Sequence, residues 1–169
     1  MLKVVSSFPM VRKQMLLDFW KLVEIKLNDA LKDKFIIKVD KNILHKHSKI
    51  SIYKPTWMQN EVIATAVVLE RMAESYPYYG VWVNRDSRND NQEHLYNKLK
   101  NCPMAKDFIT DNHPWWSFWK GMDIDFDVND ELLKILPGEK AKSEAQNTVE
   151  IICGFLEKAE KEIDKVFQV

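Results

Sequence analysis

The stretch 115–130, WWSFWKGMDIDFDVND, limits the fold more than any other part of the sequence. From Phe118 onward apolar residues fall on one side, and Asp123, Asp125 and Asp127 fall on the other. Side chains of a β-strand point alternately to opposite faces of the sheet. The pattern therefore predicts a half-buried strand with an apolar inner face and a row of carboxylates on its outer face.

The remaining periodicities predict what surrounds this strand. Apolar residues recur every three or four positions over residues 10–32 and again over 143–167, which indicates two long helices. Short β-branched and aromatic runs lie between them, with connectors too short for helical crossovers, so they predict an antiparallel meander. The runs cover 35–39, 49–53, 61–71 and 78–85. We expect a single α+β domain over residues 1–169, with an antiparallel sheet of about five strands and long N- and C-terminal helices packed on it.

Length, net charge and cysteine content limit the class of protein and the compartment that we expect. A chain of 169 residues is typical of one domain, and its net charge of zero argues against a general polyanion binder. Cys102 and Cys153 lack metal-type spacing and are expected to be free thiols in a reducing compartment. Neither a signal-peptide core nor an apolar run of the roughly 18 residues that span a membrane occurs, so we expect a cytoplasmic protein without membrane association.

Motifs for enzymatic chemistry are missing from the sequence. It contains only four glycines and none of the glycine-rich loops that hold phosphates or dinucleotides. His45 and His47 would share one face of a strand, but no cysteine or acid nearby completes a tetrahedral zinc site. We therefore expect no catalytic residue, no cofactor and no metal.

The acidic row offers an alternative interpretation. Asp123, Asp125 and Asp127 resemble the start of a calcium loop, but Val128 replaces the turn glycine and Lys134 replaces the bidentate glutamate. A solvated strand face explains the row without a metal. The alternative is a small metal-dependent enzyme that uses these acids with a histidine brought close by folding.

Charge is distributed unevenly along the chain. Residues 32–54 carry seven lysines and two aspartates, and residues 123–131 carry five acids and no base. Charges on sheet edges also discourage aggregation, which needs no function. The functional interpretation is a basic surface that contacts nucleic acid or an acidic protein surface. The candidate partner-binding residues are Lys38, Lys46, Lys49, Trp82, Arg85 and Arg88.

Large aromatic residues exceed what one sheet face can bury. Trp82, Trp115, Trp116 and Trp119 all fall in predicted strands or beside them. Exposed aromatic clusters favour recognition sites, and an aromatic ring near a basic strand can stack nucleic-acid bases. The other interpretation is that the two long helices cover both faces of the sheet.

Several segments together resemble a known family. They are FW in the first helix, YYGVWVNRDSRNDNQEHLYNKL, HPWWSFWKGMDIDF and the long closing helix. Over roughly residues 19–167 the chain resembles a bacterial domain of unknown function that often follows a restriction-endonuclease-like PD-(D/E)xK nuclease domain. The resemblance implies an α+β accessory domain linked to phage defence or DNA processing, and it supplies no active site. The acid-x-Lys that such nucleases need on a strand occurs here only as Glu24-Ile25-Lys26, inside the first helix.

These observations favour a non-enzymatic binding module whose partner is a protein or a nucleic acid. A third alternative uses the C-terminal helix, whose apolar residues Val149, Ile152, Leu156 and Ala159 repeat in a heptad-like pattern. In that case the chain would be a structural subunit that oligomerises through this helix.

Overall fold

The computed structural model describes residues 2–73, 76–85, 90–126, 132, 134, 135 and 137–167, without the side chains of residues 2–8 and 90. It confirms an α+β fold in which an antiparallel sheet of five strands carries long N- and C-terminal helices. The elements are α1 (Leu2–Leu31), β1 (Ile36–Val39), β2 (Lys49–Tyr53), β3 (Met58–Gln59), β4 (Val62–Ile63), β5 (Thr65–Glu70), β6 (Tyr78–Val83), α2 (Asp90–Lys100), β7 (Trp116–Gly121) and α3 (Glu139–Phe167).

The sheet is the predicted meander. Its strand order is β1-β2-β5-β6-β7, and every neighbouring pair is antiparallel. The small hairpin β3–β4 is inserted between β2 and β5 and was not predicted. Gly80 of β6 lies opposite Trp119 of β7, where a Cβ atom would come within 2.2 Å of the Phe118 carbonyl oxygen. Glycine is therefore required at this position for the two strands to pair.

One face of the sheet is covered by the long helices. Phe155 of α3 packs edge-on against Tyr79 of β6, with ring centroids 5.1 Å apart, and also contacts Phe118 of β7. Trp20 of α1 is buried and donates its indole N–H to the carbonyl oxygen of Met72 at 2.8 Å. Burial of such rings supplies much of the hydrophobic stabilisation of this face.

A cluster of charged side chains fastens α3 to the residues that follow β2. Lys54 forms ion pairs with Glu160 and Asp164, and the N–H of the Trp57 indole donates to Asp164 at 2.7 Å. Lys34 adds a second cation 2.6 Å from Glu160. Burial alone would lower the pKa of Lys54, but hydrogen bonds and attraction from the two acids outweigh it and raise that pKa. Burial alone would raise the pKa of Glu160, but its bonds to the two lysines lower it.

The strand predicted over the acidic row is shorter than expected, and this part of the prediction is wrong. β7 ends at Gly121, and residues 122–126 are irregular. Their burial still alternates: Met122, Ile124 and Phe126 are buried and Asp123 is exposed. Met122 still donates its backbone N–H to the carbonyl oxygen of Pro77 at 2.7 Å, directly before β6, but residues 123–126 are not assigned to a strand. Asp127 lies outside the described residues.

Both long helices begin earlier than the periodicity indicated. α1 begins at Leu2 and contains Pro9, whereas the apolar stripe predicted a start near residue 10. α3 begins at Glu139, directly after Gly138, whereas the pattern predicted a start near residue 143. The first turn of α3 carries few apolar residues, so hydrophobic periodicity does not reveal it. The first turns of α1 do contain apolar residues, at Leu2, Val4, Val5 and Phe8, but Pro9 suggested that the helix starts after them.

Candidate binding site on the sheet

The second face of the sheet is covered largely by its own aromatic side chains. Trp116 is buried, whereas Tyr78, Trp82 and Trp119 are half-buried there. The Tyr78 ring lies 5.1 Å from both Trp116 and Trp119, measured between centroids. Trp115, next to them in sequence, is 36% exposed. The aromatic surplus seen in the sequence therefore shields this face in part and leaves ring surface open to solvent.

A pocket of about 460 Å³ opens on this face, and we call it the sheet-face pocket. Strands β1, β2 and β6 form its floor, and the β3–β4 hairpin forms one wall. Trp82 lines it, and the Lys49 ammonium lies 4.6 Å from the centroid of a Trp82 ring. This cation–π contact holds the lysine over the ring and keeps both groups at the surface of the pocket.

Opposite charges are balanced in the lining of the pocket. Lys38 and Lys49 supply two positive charges, and Asp40 and Glu61 supply two negative ones. The Asp40 carboxylate already accepts the backbone N–H of Lys49 at 2.9 Å. Glu61 lies at the tip of the hairpin, where both central residues, Asn60 and Glu61, have positive φ (49° and 63°). Such a turn is the primed type that tight hairpins favour, and it places Glu61 in the wall of the pocket.

Trp82 carries a polar atom that the fold leaves unsatisfied. Its indole Nε1 is buried and has no hydrogen-bond partner among the described residues. A buried donor without an acceptor costs roughly 1–3 kcal/mol. The backbone of the same residue is satisfied, because the Thr65 hydroxyl donates to the Trp82 carbonyl oxygen at 2.7 Å.

A polar network lies beside the pocket. Glu70 is buried at the end of β5, and its carboxylate lies 3.5 Å from Nδ1 of His47, which lines the pocket. The Tyr78 hydroxyl bonds to Glu70 and to Arg71. Burial, and next the charge of Glu70, raises the pKa of Tyr78 to about 12. An ordinary tyrosine is already protonated at neutral pH, so the raised pKa means that Tyr78 acts in this network as a neutral hydrogen-bonding group.

The structure brings together three of the six predicted partner-binding residues. Lys38, Lys49 and Trp82 all line the sheet-face pocket. Lys46, only three residues before Lys49, lines a different recess. Arg85 stacks on Tyr96 with 4.5 Å between its guanidinium carbon and the ring centroid, pairs with Glu93 and donates to the carbonyl oxygen of Pro114 at 3.0 Å. Arg88 lies outside the described residues.

The recess that holds Lys46 is basic. It measures about 440 Å³ between α1 and residues 42–46, and its lining includes Arg12, Lys13, His45 and Lys46. Arg12 is engaged there, since it donates to the carbonyl oxygens of Ala73 at 3.2 Å and of Phe126 at 3.4 Å. The basic patch expected from residues 32–54 is thus divided between two concavities.

The histidine pair does not lie on a strand, which corrects the sequence interpretation. His45 and His47 are in the turns between β1 and β2, with ring centroids 6.3 Å apart. In the part of the chain that the structure describes, no group of three or more His, Cys, Asp or Glu side chains could hold a metal ion. Cys102 and Cys153 are free thiols, and burial raises the pKa of both.

Comparisons with known proteins do not assign the chain to a family. No family model, no curated protein and no solved structure matches the chain. Within the described residues, no helix has the length and apolar character needed to cross a membrane.

Several pocket residues escaped the sequence analysis. Ser51, Tyr53, Asn84 and Glu61 line the pocket but were not singled out. In the run 49–53 the apolar Ile50 and Ile52 alternate with Lys49 and Ser51, and this pattern could have assigned Ser51 to the same face as Lys49. Glu61 gave no such signal, because the hairpin turn has Glu where Gly usually follows Asn.

Proposed function

We propose that the chain is a non-enzymatic binding module whose binding site is the sheet-face pocket and whose partner is a protein. The observation that carries this proposal is the convergence of Lys38, Lys49 and Trp82 on one open pocket. Tryptophan is among the residues enriched at the energetic centres of protein interfaces, and Trp82 supplies such a ring here.

The charge of the pocket favours a protein over a nucleic acid. A site for a polyanion concentrates positive charge, because affinity comes mainly from phosphates. Here Asp40 and Glu61 offset Lys38 and Lys49. A polypeptide segment presents both signs of charge together with apolar groups, and it can match such a lining.

The family resemblance noted in the sequence suggests a biological role for this module. By that resemblance the chain is an accessory domain for phage defence or DNA processing, and its partner is the protein that carries the enzymatic activity. The apolar seam of α3 is used inside the domain, since Ile152, Leu156 and Ala159 are buried. This supports a module that binds through its sheet over a subunit that assembles through α3.

Peptide selection tests the proposal directly. A phage-displayed library of short random peptides is selected on the whole chain, and the enriched peptides are titrated by fluorescence anisotropy. We expect Lys49→Gln and Trp82→Phe each to weaken binding about tenfold, because each removes a contact worth about 1.4 kcal/mol. Trp115→Phe, outside the pocket lining, is the matched control and should bind normally. Equal affinity of all four proteins would contradict the proposal.

Single-stranded nucleic acid remains the second candidate, because Lys49 over Trp82 could pair a phosphate with a stacked base. With two lysines in the pocket, the logarithm of affinity should fall with the logarithm of salt concentration at a slope of about −1.4 for a single strand. Lys49→Gln should halve that slope and Lys46→Gln should leave it unchanged. A fluorescence titration with short labelled DNA and RNA measures both. Slopes of this size with micromolar affinity would replace the protein partner with nucleic acid.

A further inference from the structure

The two edges of the sheet differ. At the β7 edge, Trp119 exchanges two backbone hydrogen bonds with Ile109, at 2.8 and 3.0 Å, so this edge is partly paired. At the β1 edge, residues 36–39 pair with β2 on one side, and no strand among the described residues pairs with their other side. Ile36 on this strand is 42% exposed. The sheet is therefore open at β1.

Register identifies which groups of β1 point outward. Asp40 donates its backbone N–H to Lys49 at 3.0 Å, and the paired residues continue as Lys38 with Ser51 and Ile36 with Tyr53. In an antiparallel ladder alternate residues bond to the same neighbour. The backbone groups of Ile37 and Val39 consequently face away from β2, and no partner for them occurs among the described residues.

Concave surfaces flank this edge on both faces of the sheet. On one face Lys38 lines the sheet-face pocket. On the other face a groove of about 430 Å³ lies between α1 and the end of β1. Its lining combines apolar residues with charged ones: Leu17, Trp20, Val39 and Ile43, and Asp18, Lys21, Glu24, Asp40 and Lys41. A strand added beside β1 would place alternate side chains over these two surfaces.

We infer that the partner binds by strand addition: an extended segment of a protein pairs with β1 and places an acidic side chain opposite Lys38 between two apolar ones. This rests on the protein-binding function proposed above and specifies how the partner is held. Main-chain bonds to Ile37 and Val39 give affinity, and the flanking surfaces select side chains.

Charge complementarity selects this occupant. A short strand with an exposed lysine resists indiscriminate pairing, which is how natural proteins protect open edges. A partner strand with an acidic residue opposite Lys38 can still pair with β1, because opposite charges stabilise a cross-strand pair. The lysine therefore selects partners that carry an acid at this position. A second copy of this chain, paired about Lys38, would place two lysines opposite each other. The partner positions opposite Ile37 and Val39 lie on the same face as these two side chains, and apolar residues there form apolar cross-strand pairs with them.

N-methylation of the selected peptides tests the hydrogen bonds. In an antiparallel complex the peptide residues opposite Ile37 and Val39 donate to β1, whereas the N–H opposite Lys38 points away. We expect a methyl group at the first two positions to weaken binding on the order of tenfold and at the middle position to have little effect. Equal tolerance at all three positions would overturn strand addition.

Charge exchange tests the register independently of the peptide backbone. Lys38→Glu should weaken acidic peptides about tenfold and should select peptides with a central Lys or Arg instead. Lys120→Glu on β7 is the control, and Lys38→Gln serves if the glutamate variant does not fold.

The two tests also separate strand addition from binding in the pocket. If substitution of Trp82 and Lys49 weakens binding but neither N-methylation nor substitution of Lys38 does, strand addition is wrong and the sheet-face pocket is the binding site. If N-methylation and substitution of Lys38 weaken binding but substitution of Trp82 and Lys49 does not, strand addition is supported and the proposed role of the sheet-face pocket is wrong. Recovery of no peptide, or a concentration-dependent dimer of the chain that blocks peptides, would overturn strand addition.

Discussion

The pairing of β6 with β7 depends on a single residue, Gly80. Its position opposite Trp119 leaves no room for a side chain, since an added Cβ would lie 2.2 Å from one backbone oxygen and 2.6 Å from Cα of Trp119. Both obstacles are backbone atoms of β7, so a rotamer change cannot relieve them. The bulky ring of Trp119 next to this glycine belongs to the face that carries the candidate site.

We expect Gly80→Ala to lower the free energy of unfolding by about 1–3 kcal/mol or more, because the two strands must separate. Gly154→Ala is the control, since that glycine is exposed within α3 and has no atom within 4 Å of an added Cβ. It should raise the free energy of unfolding by about 0.5–1 kcal/mol through helix propensity. Urea denaturation measures both. A stable Gly80→Ala protein would show that β6 and β7 are not paired in this register.

Element boundaries show what the sequence could and could not predict. β2 and β6 were predicted closely because their apolar residues alternate and a turn follows. β7 was extended too far because Met122, Ile124 and Phe126 alternate in burial outside the sheet.

The candidate site was predicted in part. Lys38 and Lys49 lie on paired strands and line the sheet-face pocket, but Lys46 lies in a turn that places it in the recess beside α1. Ion pairs such as the one between Arg85 and Glu93 depend on tertiary contacts that periodicity does not encode.

The cluster that fastens α3 gives a pH dependence. The pKa of Glu160 is lowered from its usual 4.5, so its contribution to stability is present above pH 4.5 and is lost as pH falls through the folded-state value. The pKa of Lys54 is raised from 10.5, so its contribution is present below pH 10.5 and is lost as pH rises through the folded-state value. The cluster therefore stabilises the fold over the whole neutral range.

Removal of the Glu160 charge should cost about 1–3 kcal/mol at neutral pH, because Lys54 is only 16% exposed and loses a partner. We expect Glu160→Gln to be destabilised at pH 7 and to lose less further stability than wild type as the solution is acidified. Urea melts from pH 3 to pH 8 measure the difference. Glu139→Gln, at an exposed ion pair in the first turn of the same helix, should change the stability and its pH dependence much less than Glu160→Gln does. Parallel curves for Glu160→Gln and wild type would contradict the ion-pair geometry.

At the scale of the whole molecule, hydrophobic burial is the main interaction that holds the two long helices on the sheet. The buried residues form one continuous cluster that joins both long helices to the strands. A domain of this size can bury about 70% of its unfolded surface without a metal or a disulfide. The described residues contain no group of three potential metal ligands.

We therefore expect excess chelator to leave the melting temperature unchanged in differential scanning calorimetry. A metal bound only by the folded state would add a few kcal/mol at saturation, and its removal would lower the melting temperature by several degrees. Such a drop would restore the metal-dependent alternative built on Asp123, Asp125 and Asp127. Asp123→Asn would then be the variant that distinguishes a site in the acidic row from one elsewhere.

The position of α3 in the chain has a consequence for biosynthesis. A ribosome synthesises every described strand before it reaches Glu139, so the meander can pair while Tyr79 and Phe118 still lack the Phe155 ring that covers them. The nascent domain exposes a broad apolar surface during this interval. A chaperone that binds apolar nascent segments would meet its substrate here, and would be displaced when α3 emerges from the exit tunnel and docks.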